Sequence, residues 1–322
     1  MRRYPKLSIR NKYELAKQIS DRALPYRAAL ALINDVVANH DRYWYDSSRS
    51  QPEEEKFVRS AKGKPLGKLL KLIDKKVLAP HDDLVPDFIF GGIGGKDHVQ
   101  AARHLLGEKR QRVLLGLDIT HFFEQIREQR VFYFFYKKCG CTKEASVLLA
   151  KLCCVPMGSK NKPLTEKSLA RGFATSTRLA LWCNLDTFIE IDRTARRRFR
   201  NHDLRIAVFV DDIGITASRI SYDDMKSFSL VVKNILKNFD SNQPLPVKEK
   251  KTKVRTVQQG MEHLGVRIGR NKLTPGGKTR SRMGQVQAAL KEKPSREERK
   301  RLLRKKNAYH AYKRHLAAAK NS

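Results

Sequence analysis

The sequence predicts an α+β fold in which amphipathic helices accompany a sheet of antiparallel strands. Short apolar runs that end in polar turns, at residues 112–118 and 205–217, have the length and composition of strands. Longer segments, at residues 66–78 and 222–239, repeat their apolar positions with the period of a helix. The 322 residues are enough for a sizeable core and for two or three subdomains.

Charge and cysteine content narrow the class of protein. The chain has 67 Lys and Arg against 33 Asp and Glu, which gives a net charge of +34. Such a surface attracts polyanions, with nucleic acid the first candidate and an anionic membrane surface the second. The sequence has neither an apolar run of about 18 residues nor a signal peptide, so we expect no membrane span. Five cysteines without metal-site spacing indicate reduced thiols, a cytoplasmic location and no zinc site.

The N-terminal third is predicted to be mainly helical. Residues 12–39 have a helical pattern, and Pro25 should end or kink the first helix near Leu24. Residues 62–65, Lys-Gly-Lys-Pro, have the composition of a turn between two short strands. Residues 66–78 form an amphipathic helix, and His104 is expected to pack structurally within a later one.

The remaining elements follow from local patterns. Two short helices are expected on either side of Gly140, and residues 156–163 have the composition of a loop. Residues 263–269 alternate like a strand. The strongly basic last part, from residue 276, contains a capping box formed by Ser295 and Glu298 before a long helix. Its apolar stripe comprises Leu302, Tyr309, Tyr312 and Leu316.

Three acidic residues carry the strongest chemical signal. Asp211 and Asp212 lie at the tip of an apolar hairpin, where two adjacent carboxylates repel each other. A divalent cation such as Mg²⁺ would relieve that repulsion, although a solvated turn also accounts for acids here. Asp118 ends a second apolar strand. Carboxylates that converge from separate strands are what two-metal nucleotidyl transfer requires.

These motifs resemble a known family. Residues 209–212, Phe-Val-Asp-Asp, resemble the Tyr-x-Asp-Asp signature of reverse transcriptases. Residues 118–126, Asp-Ile-Thr-His-Phe-Phe-Glu-Gln-Ile, resemble the corresponding block of retron and group II intron enzymes. The likeness extends from about residue 62 to residue 269, with its parts in the expected order. It suggests membership of the retron-type bacterial reverse transcriptases, which include relatives that act in defence.

The resemblance implies a right-hand polymerase fold with fingers, palm and a basic helical thumb. It divides the chain into N-terminal helices and fingers (1–111), a palm with interleaved fingers elements (112–222), a primer-grip region (223–270) and the thumb (271–322). The sequence departs from the retron pattern at residues 263–265, His-Leu-Gly, where retron enzymes usually have Val-Thr-Gly.

The resemblance also implies roles for residues of the reaction centre. Asp118, Asp211 and Asp212 would hold two Mg²⁺ ions, with help from the backbone carbonyl of Ile119. Phe123 would be the gate that collides with a ribose 2′-hydroxyl, which favours deoxynucleotides. A lysine in the segment 247–253 would protonate the departing pyrophosphate. Lys251 is the candidate, and its neighbours Lys250 and Lys253 remain open.

Further residues are implied to bind the substrate. Arg59 and Lys62 would meet the triphosphate of the incoming nucleotide, although solvated loop charges are an equal interpretation. Arg171, Gly172 and Ser176 belong to a block that usually reads Gln-Gly-x-x-Thr-Ser. Because Arg171 replaces the usual Gln, it is expected to contact a phosphate rather than a base or ribose.

The function implied is an RNA-directed DNA polymerase of retron type that makes cDNA from a dedicated structured non-coding RNA. An effector protein and a role in anti-phage defence accompany this expectation. One alternative is a defence enzyme that synthesises DNA without a template or from a protein primer. Another is a catalytically silent RNA-binding scaffold. The sequence does not specify the oligomeric state.

Overall fold

The computed structural model describes residues 3–109, 111–292 and 294–318. The ends of the predicted ranges 1–111 and 271–322 therefore lie partly outside the described residues. The chain forms two compact units. The first contains the described residues up to 95, with 119–188 and 236–246; the second contains 96–118, 189–235 and those from 247 onwards. The four ranges implied by the resemblance do not coincide with these units, because the chain passes between them repeatedly.

Helices and strands are interspersed along the described chain. The helices are α1 (Lys12–Ile19), α2 (Tyr26–Asn39), α3 (Pro65–Ile73), α4 (His98–Leu106), α5 (Phe122–Gln125), α6 (Glu128–Tyr133), α7 (Lys143–Cys153), α8 (Ser176–Cys183), α9 (Leu185–Arg198), α10 (Tyr222–Asn238), α11 (Gly277–Lys291) and α12 (Arg296–Ala318). The strands are β1 (Tyr45–Asp46), β2 (Arg59–Ser60), β3 (Arg112–Asp118), β4 (Cys154–Ser159), β5 (Lys162–Leu169), β6 (Arg205–Phe209), β7 (Asp212–Ser218), β8 (Lys253–Thr256), β9 (Met261–His263), β10 (Val266–Ile268) and β11 (Leu273–Pro275). Every pairing between these strands is antiparallel, which is compatible with the α+β class.

The second unit is built on a four-stranded sheet with the order β6-β7-β3-β8. Strands β6 and β7 form the predicted hairpin, and β7 pairs with β3 along the whole length of β3. β3 is a central strand, and its apolar residues are buried on both faces. This explains why residues 112–118 form a continuous apolar run rather than an alternating one.

Two glycines lie opposite each other in the middle of this sheet. Gly116 of β3 pairs with Gly214 of β7, and the buried ring of His263 packs against both. A Cβ atom on Gly214 would lie 2.6 Å from Leu105 Cδ1 and 2.9 Å from His263 Nε2. A Cβ atom on Gly116 would have its nearest neighbours at 3.9 Å. Only Gly214 is therefore required to lack a side chain.

This difference gives a matched test of the packing. Gly214→Ala is expected to lower the free energy of unfolding by about 1–3 kcal/mol, because the added methyl forces buried side chains to move. Gly116→Ala, the cross-strand neighbour, should leave the stability nearly unchanged. Urea denaturation followed by circular dichroism measures both. Equal stability of the two variants would contradict this account of the sheet.

Helices α11 and α12 form their own small core in the second unit. Met283 and Val286 of α11 pack with Leu302 of α12. The Ser295 hydroxyl accepts a hydrogen bond from the backbone N–H of Glu298 at 3.3 Å, which confirms the predicted N-cap of α12. After its first turn α12 has no acidic residue, so its exposed face is strongly basic. The exposed basic residues are Arg296, Arg299, Lys300, Arg301, Arg304, Lys305, Lys313 and Arg314.

The structure corrects several predictions for the first unit. Helix α1 ends at Ile19 rather than near Leu24, and Pro25 instead precedes α2. The turn at residues 62–65 joins a strand to helix α3, not two strands. The predicted loop at residues 156–163 is part of a hairpin of β4 and β5. Its long-range contacts, such as those of Lys160 with Asp46 and Trp44, are not visible in local composition.

In the second unit, one local prediction needs adjustment. The strand predicted at residues 263–269 is a hairpin, because Leu264 and Gly265 both have positive φ and form the two-residue turn between β9 and β10. His104 is half-buried in α4.

Among the described residues, no helix combines the length and apolar composition that crossing a bilayer requires.

Candidate active site

Three acidic residues meet at one end of the sheet in the second unit. Asp118 is the last residue of β3 and Asp212 is the first residue of β7. The two are directly opposite each other in the antiparallel register. Directly opposed residues have Cβ atoms about 5 Å apart. Asp211 lies in the two-residue turn between Phe209 and Asp212, so the turn brings a third carboxylate to the same end.

The turn that presents Asp211 is strained. Val210 has a φ of +60°, a conformation that a β-branched side chain rarely adopts. A two-residue turn between twisted strands requires positive φ, and here no glycine supplies it. Backbone strain of this kind persists where the surrounding structure over-determines it, and it concentrates at functional sites.

The carboxylates destabilise one another. Burial, followed by the charges of Asp211 and Asp118, raises the pKa of Asp212 from 3.8 to about 7, and Lys251 opposes this shift. The site therefore contains more negative charge than its surroundings neutralise. A cation bound among these groups would relieve that repulsion.

One lysine completes the cluster. The ammonium of Lys251 lies 2.6 Å from Oδ2 of Asp118, although about half of the lysine side chain is exposed (54%). The backbone N–H of Lys248 donates to the carbonyl oxygen of Asp118 at 2.9 Å, which holds the short turn that carries Lys251 beside β3. Burial alone would lower the pKa of Lys251, but the hydrogen bond to Asp118 and the three nearby carboxylates raise it. Of the three candidate lysines, Lys251 is the one with this contact to Asp118.

The donor set suits Mg²⁺, which prefers hard carboxylate oxygens and often takes only one or two of them. The mutual repulsion that raises the pKa of Asp212 is the structural observation in favour of a cation here. Within the described residues, no group of three or more His, Cys, Asp or Glu side chains is arranged as a ready metal cluster. The ammonium of Lys251, which contacts Asp118, neutralises part of the negative charge of the three carboxylates in this arrangement.

The raised pKa of Asp212 predicts a pH dependence of stability. Since the folded pKa lies above the unfolded one, the folded protein holds a proton between about pH 4 and pH 7 that the unfolded chain has lost. The free energy of unfolding should therefore fall as the pH rises through this window. Denaturation of wild type and Asp212→Asn without divalent cations should show the fall only in wild type.

The same pair of proteins tests cation binding without any activity assay. At about pH 8, where Asp212 is ionised, Mg²⁺ should raise the melting temperature of wild type, because a ligand that binds only the folded state stabilises it. The rise should be smaller in Asp212→Asn. A Mg²⁺ effect of equal size in both proteins would remove Asp212 from the ligand set.

Ile119 and Phe123 belong to the first unit, and both are buried. Ile119 follows Asp118 directly, and the carbonyl ligand implied by the resemblance stays a prediction. Phe123 lies in α5 with its ring next to that of Phe122, at a centroid distance of 5.8 Å. The guanidinium of Arg171 lies 5.0 Å from the Phe123 ring centroid.

The structure does not support the predicted triphosphate contact of Arg59. Only 4% of this side chain is exposed, and its guanidinium donates to Asp46 and to the carbonyl oxygens of Pro156 and Gly158. The central carbon of the guanidinium also lies 5.1 Å from the centroid of the Trp44 ring. Arg59 therefore joins the β1–β2 pair to the β4–β5 hairpin, and we remove it from the substrate-binding set.

The other predicted substrate-binding residues differ in how open they are. Lys62 is exposed in the turn before α3. Ser176 is buried, and its hydroxyl donates to the carbonyl oxygen of Ala170 at 2.6 Å, so its role here is structural. Gly172 has a φ of +100°, and a Cβ there would meet the Arg59 carbonyl oxygen at 2.5 Å. Packing against Arg59 therefore requires a glycine at residue 172, whether or not this residue also contacts a substrate.

Arg171 has a partner that the sequence did not indicate. It forms a two-pronged ion pair with Glu124, and both side chains line a cavity of about 540 Å³ in the first unit. The two residues are 47 positions apart, so no local spacing reveals the pair. The replacement of the usual Gln by Arg at residue 171 was the one sign of this pair in the sequence, because a charge placed near a buried helix needs a counter-charge.

Comparison with known proteins adds no further assignment. The chain matches no protein-family model and no curated protein. The functional interpretation therefore depends on the geometry of the acidic cluster and on the sequence motifs.

Proposed function

We propose that this protein is an RNA-directed DNA polymerase of retron type that extends a primer by two-metal nucleotidyl transfer. The observation that carries the proposal is the meeting of Asp118, Asp211 and Asp212 at one end of an antiparallel sheet, with Lys251 bound to Asp118. The motif order and the resemblance described above support the same conclusion.

The carboxylates of Asp118, Asp211 and Asp212 would hold two Mg²⁺ ions. When bound, the ions supply Lewis acidity at the attacking and leaving oxygens of the displacement. The protein's own contribution is to fix the carboxylates on paired strands, so that little reorganisation is needed. The strained turn at Val210 holds Asp211 beyond the strand end, and the β3–β7 register sets the spacing of Asp118 from Asp212.

Lys251 is suited to act as a general acid. A lysine ammonium is protonated at neutral pH, so Lys251 holds a proton at Nζ for a departing pyrophosphate oxygen. Its contact with Asp118 also keeps the ammonium beside the carboxylates rather than free in solvent.

The nucleic acid partner is proposed from charge. A net charge of +34 and the strongly basic face of α12, which has no acidic residue after the first turn, favour long contact with a phosphate backbone. The partner we propose is a dedicated structured non-coding RNA that provides template and primer, with cDNA as the product. Participation of an effector protein and a role in phage defence belong to the same proposal.

The test uses the purified protein together with the RNA that co-purifies with it. With Mg²⁺ and dNTPs it should yield DNA complementary to that RNA, detected by sequencing. DNA unrelated to the RNA, or DNA that remains attached to a Tyr or Ser after nuclease digestion, would instead indicate untemplated or protein-primed synthesis. Tight RNA binding without any synthesis would identify an RNA-binding scaffold and overturn the proposal.

A further inference from the structure

Arg171 is not available as a simple phosphate anchor. Its Nε donates to Glu124 Oε1 at 3.0 Å and its Nη2 donates to Glu124 Oε2 at 2.9 Å. About 15% of the Arg171 side chain and 16% of the Glu124 side chain are exposed. A two-pronged pair with this degree of burial is specific in geometry. A phosphate would have to compete with Glu124 for the same guanidinium.

The main chain around Arg171 is fixed independently of its side chain. The backbone N–H of Arg59 donates to the carbonyl oxygen of Arg171 at 2.7 Å. The next residue, Gly172, packs so closely on Arg59 that a Cβ would lie 2.5 Å from its carbonyl oxygen. The guanidinium therefore extends from a rigid point.

The guanidinium also contacts an aromatic ring. Its central carbon lies 5.0 Å from the centroid of the Phe123 ring, within the range of a cation–π contact. Phe123 is 8% exposed and precedes Glu124 in α5. Arg171 thus contacts two successive residues of one helical turn, the carboxylate of one and the ring of the other. Phe122, on the same turn, packs against both Phe123 and Phe188.

We propose that the Arg171–Glu124 ion pair is a positioning device that holds the Phe123 ring and thereby sets how strongly the enzyme discriminates against 2′-hydroxyl nucleotides. This inference rests on the proposed function. A ring excludes one extra hydroxyl only if it cannot move aside, and discrimination by small steric differences is readily lost when a wall yields. Glu124 ties the guanidinium to the same turn that carries the ring, and the fixed main chain of Arg171 anchors that guanidinium, so the ring is held in place.

The test measures kcat/KM for a dNTP and for the matching rNTP on the protein's RNA template. Arg171→Gln is expected to lower the dNTP/rNTP ratio about tenfold, which corresponds to about 1.4 kcal/mol of transition-state free energy. The ratio should fall because kcat/KM for the rNTP rises, while kcat/KM for the dNTP changes less. An unchanged ratio in an active Arg171→Gln enzyme would overturn the inference.

A matched control separates positioning from general loss of an ion pair. Arg130 forms a comparable half-buried pair with Asp240 in the same unit, and its guanidinium also donates to the Cys183 carbonyl oxygen. Arg130→Gln should lower the melting temperature about as much as Arg171→Gln but leave the dNTP/rNTP ratio at the wild-type value. A ratio that falls equally in both variants would assign the effect to stability and overturn the inference.

The double variant Arg171→Gln/Glu124→Gln provides a second readout. Its two amides can pair with each other, so stability should return towards wild type, whereas the charge over the ring is still absent. We therefore expect the ratio to stay low. Recovery of the ratio together with stability would show that Arg171 is only structural. If wild type incorporates no dNTP, the proposed function itself is refuted. If wild type is active and Arg171→Gln has the wild-type dNTP/rNTP ratio, only the positioning role of Arg171 is refuted.

Discussion

Asp211→Ala is expected to lower DNA synthesis at least about a thousandfold and to leave RNA affinity unchanged. Asp211 is the carboxylate at the tip of the β6–β7 turn, and its charge is one of those that raise the pKa of Asp212. Loss of a metal ligand removes Lewis-acid stabilisation worth several kcal/mol, and each 1.4 kcal/mol is tenfold in rate. Primer extension and filter binding with the co-purified RNA measure the two quantities.

The control for this variant is Asp223→Ala. Asp223 is an exposed acid in the first turn of α10, so its removal makes the same change in net charge outside the cluster. Synthesis by Asp223→Ala should equal that of wild type. Synthesis by Asp211→Ala within about tenfold of wild type would rule out Asp211 as a ligand of an essential metal.

Lys251→Gln is expected to lower kcat about a hundredfold while the KM for dNTP changes little, because general acid catalysis contributes on the order of 10²–10⁴ in rate. Gln keeps the length of the side chain nearly unchanged and can still contact Asp118, but it has no proton to transfer. Single-turnover incorporation measures this effect. Lys226→Gln, on the exposed side of α10, removes a positive charge elsewhere and should leave kcat unchanged.

Lys251→Arg separates proton donation from charge neutralisation. The guanidinium keeps the positive charge beside Asp118, but it is too weak an acid to release its proton. We expect Lys251→Arg to be nearly as slow as Lys251→Gln. Wild-type kcat in the Arg variant would mean that Lys251 serves only to balance the carboxylate charge.

What the sequence determined by itself is local. The apolar strand that ends in Asp118, the apolar hairpin with Asp211 and Asp212 at its tip and the Ser295 cap of α12 were all predicted from neighbouring residues. Strand length, turn size and capping are set within a few positions, and the structure has each of them. The polymerase identity implied by the motifs stays a prediction, to be tested by the experiments above.

Tertiary structure decided which charged side chains remain accessible and which are used in packing. Arg59 was indistinguishable in sequence from an exposed fingers arginine, yet it is buried on Asp46 and the β4–β5 hairpin. In the sequence Lys251 was one of three candidate lysines, and its contact with Asp118, which is 133 positions away, distinguishes it from the other two. Arg171 met its partner Glu124 across 47 positions. Periodicity and composition report the neighbours along a chain, whereas a charge acquires its role from groups that only folding brings within a few ångströms.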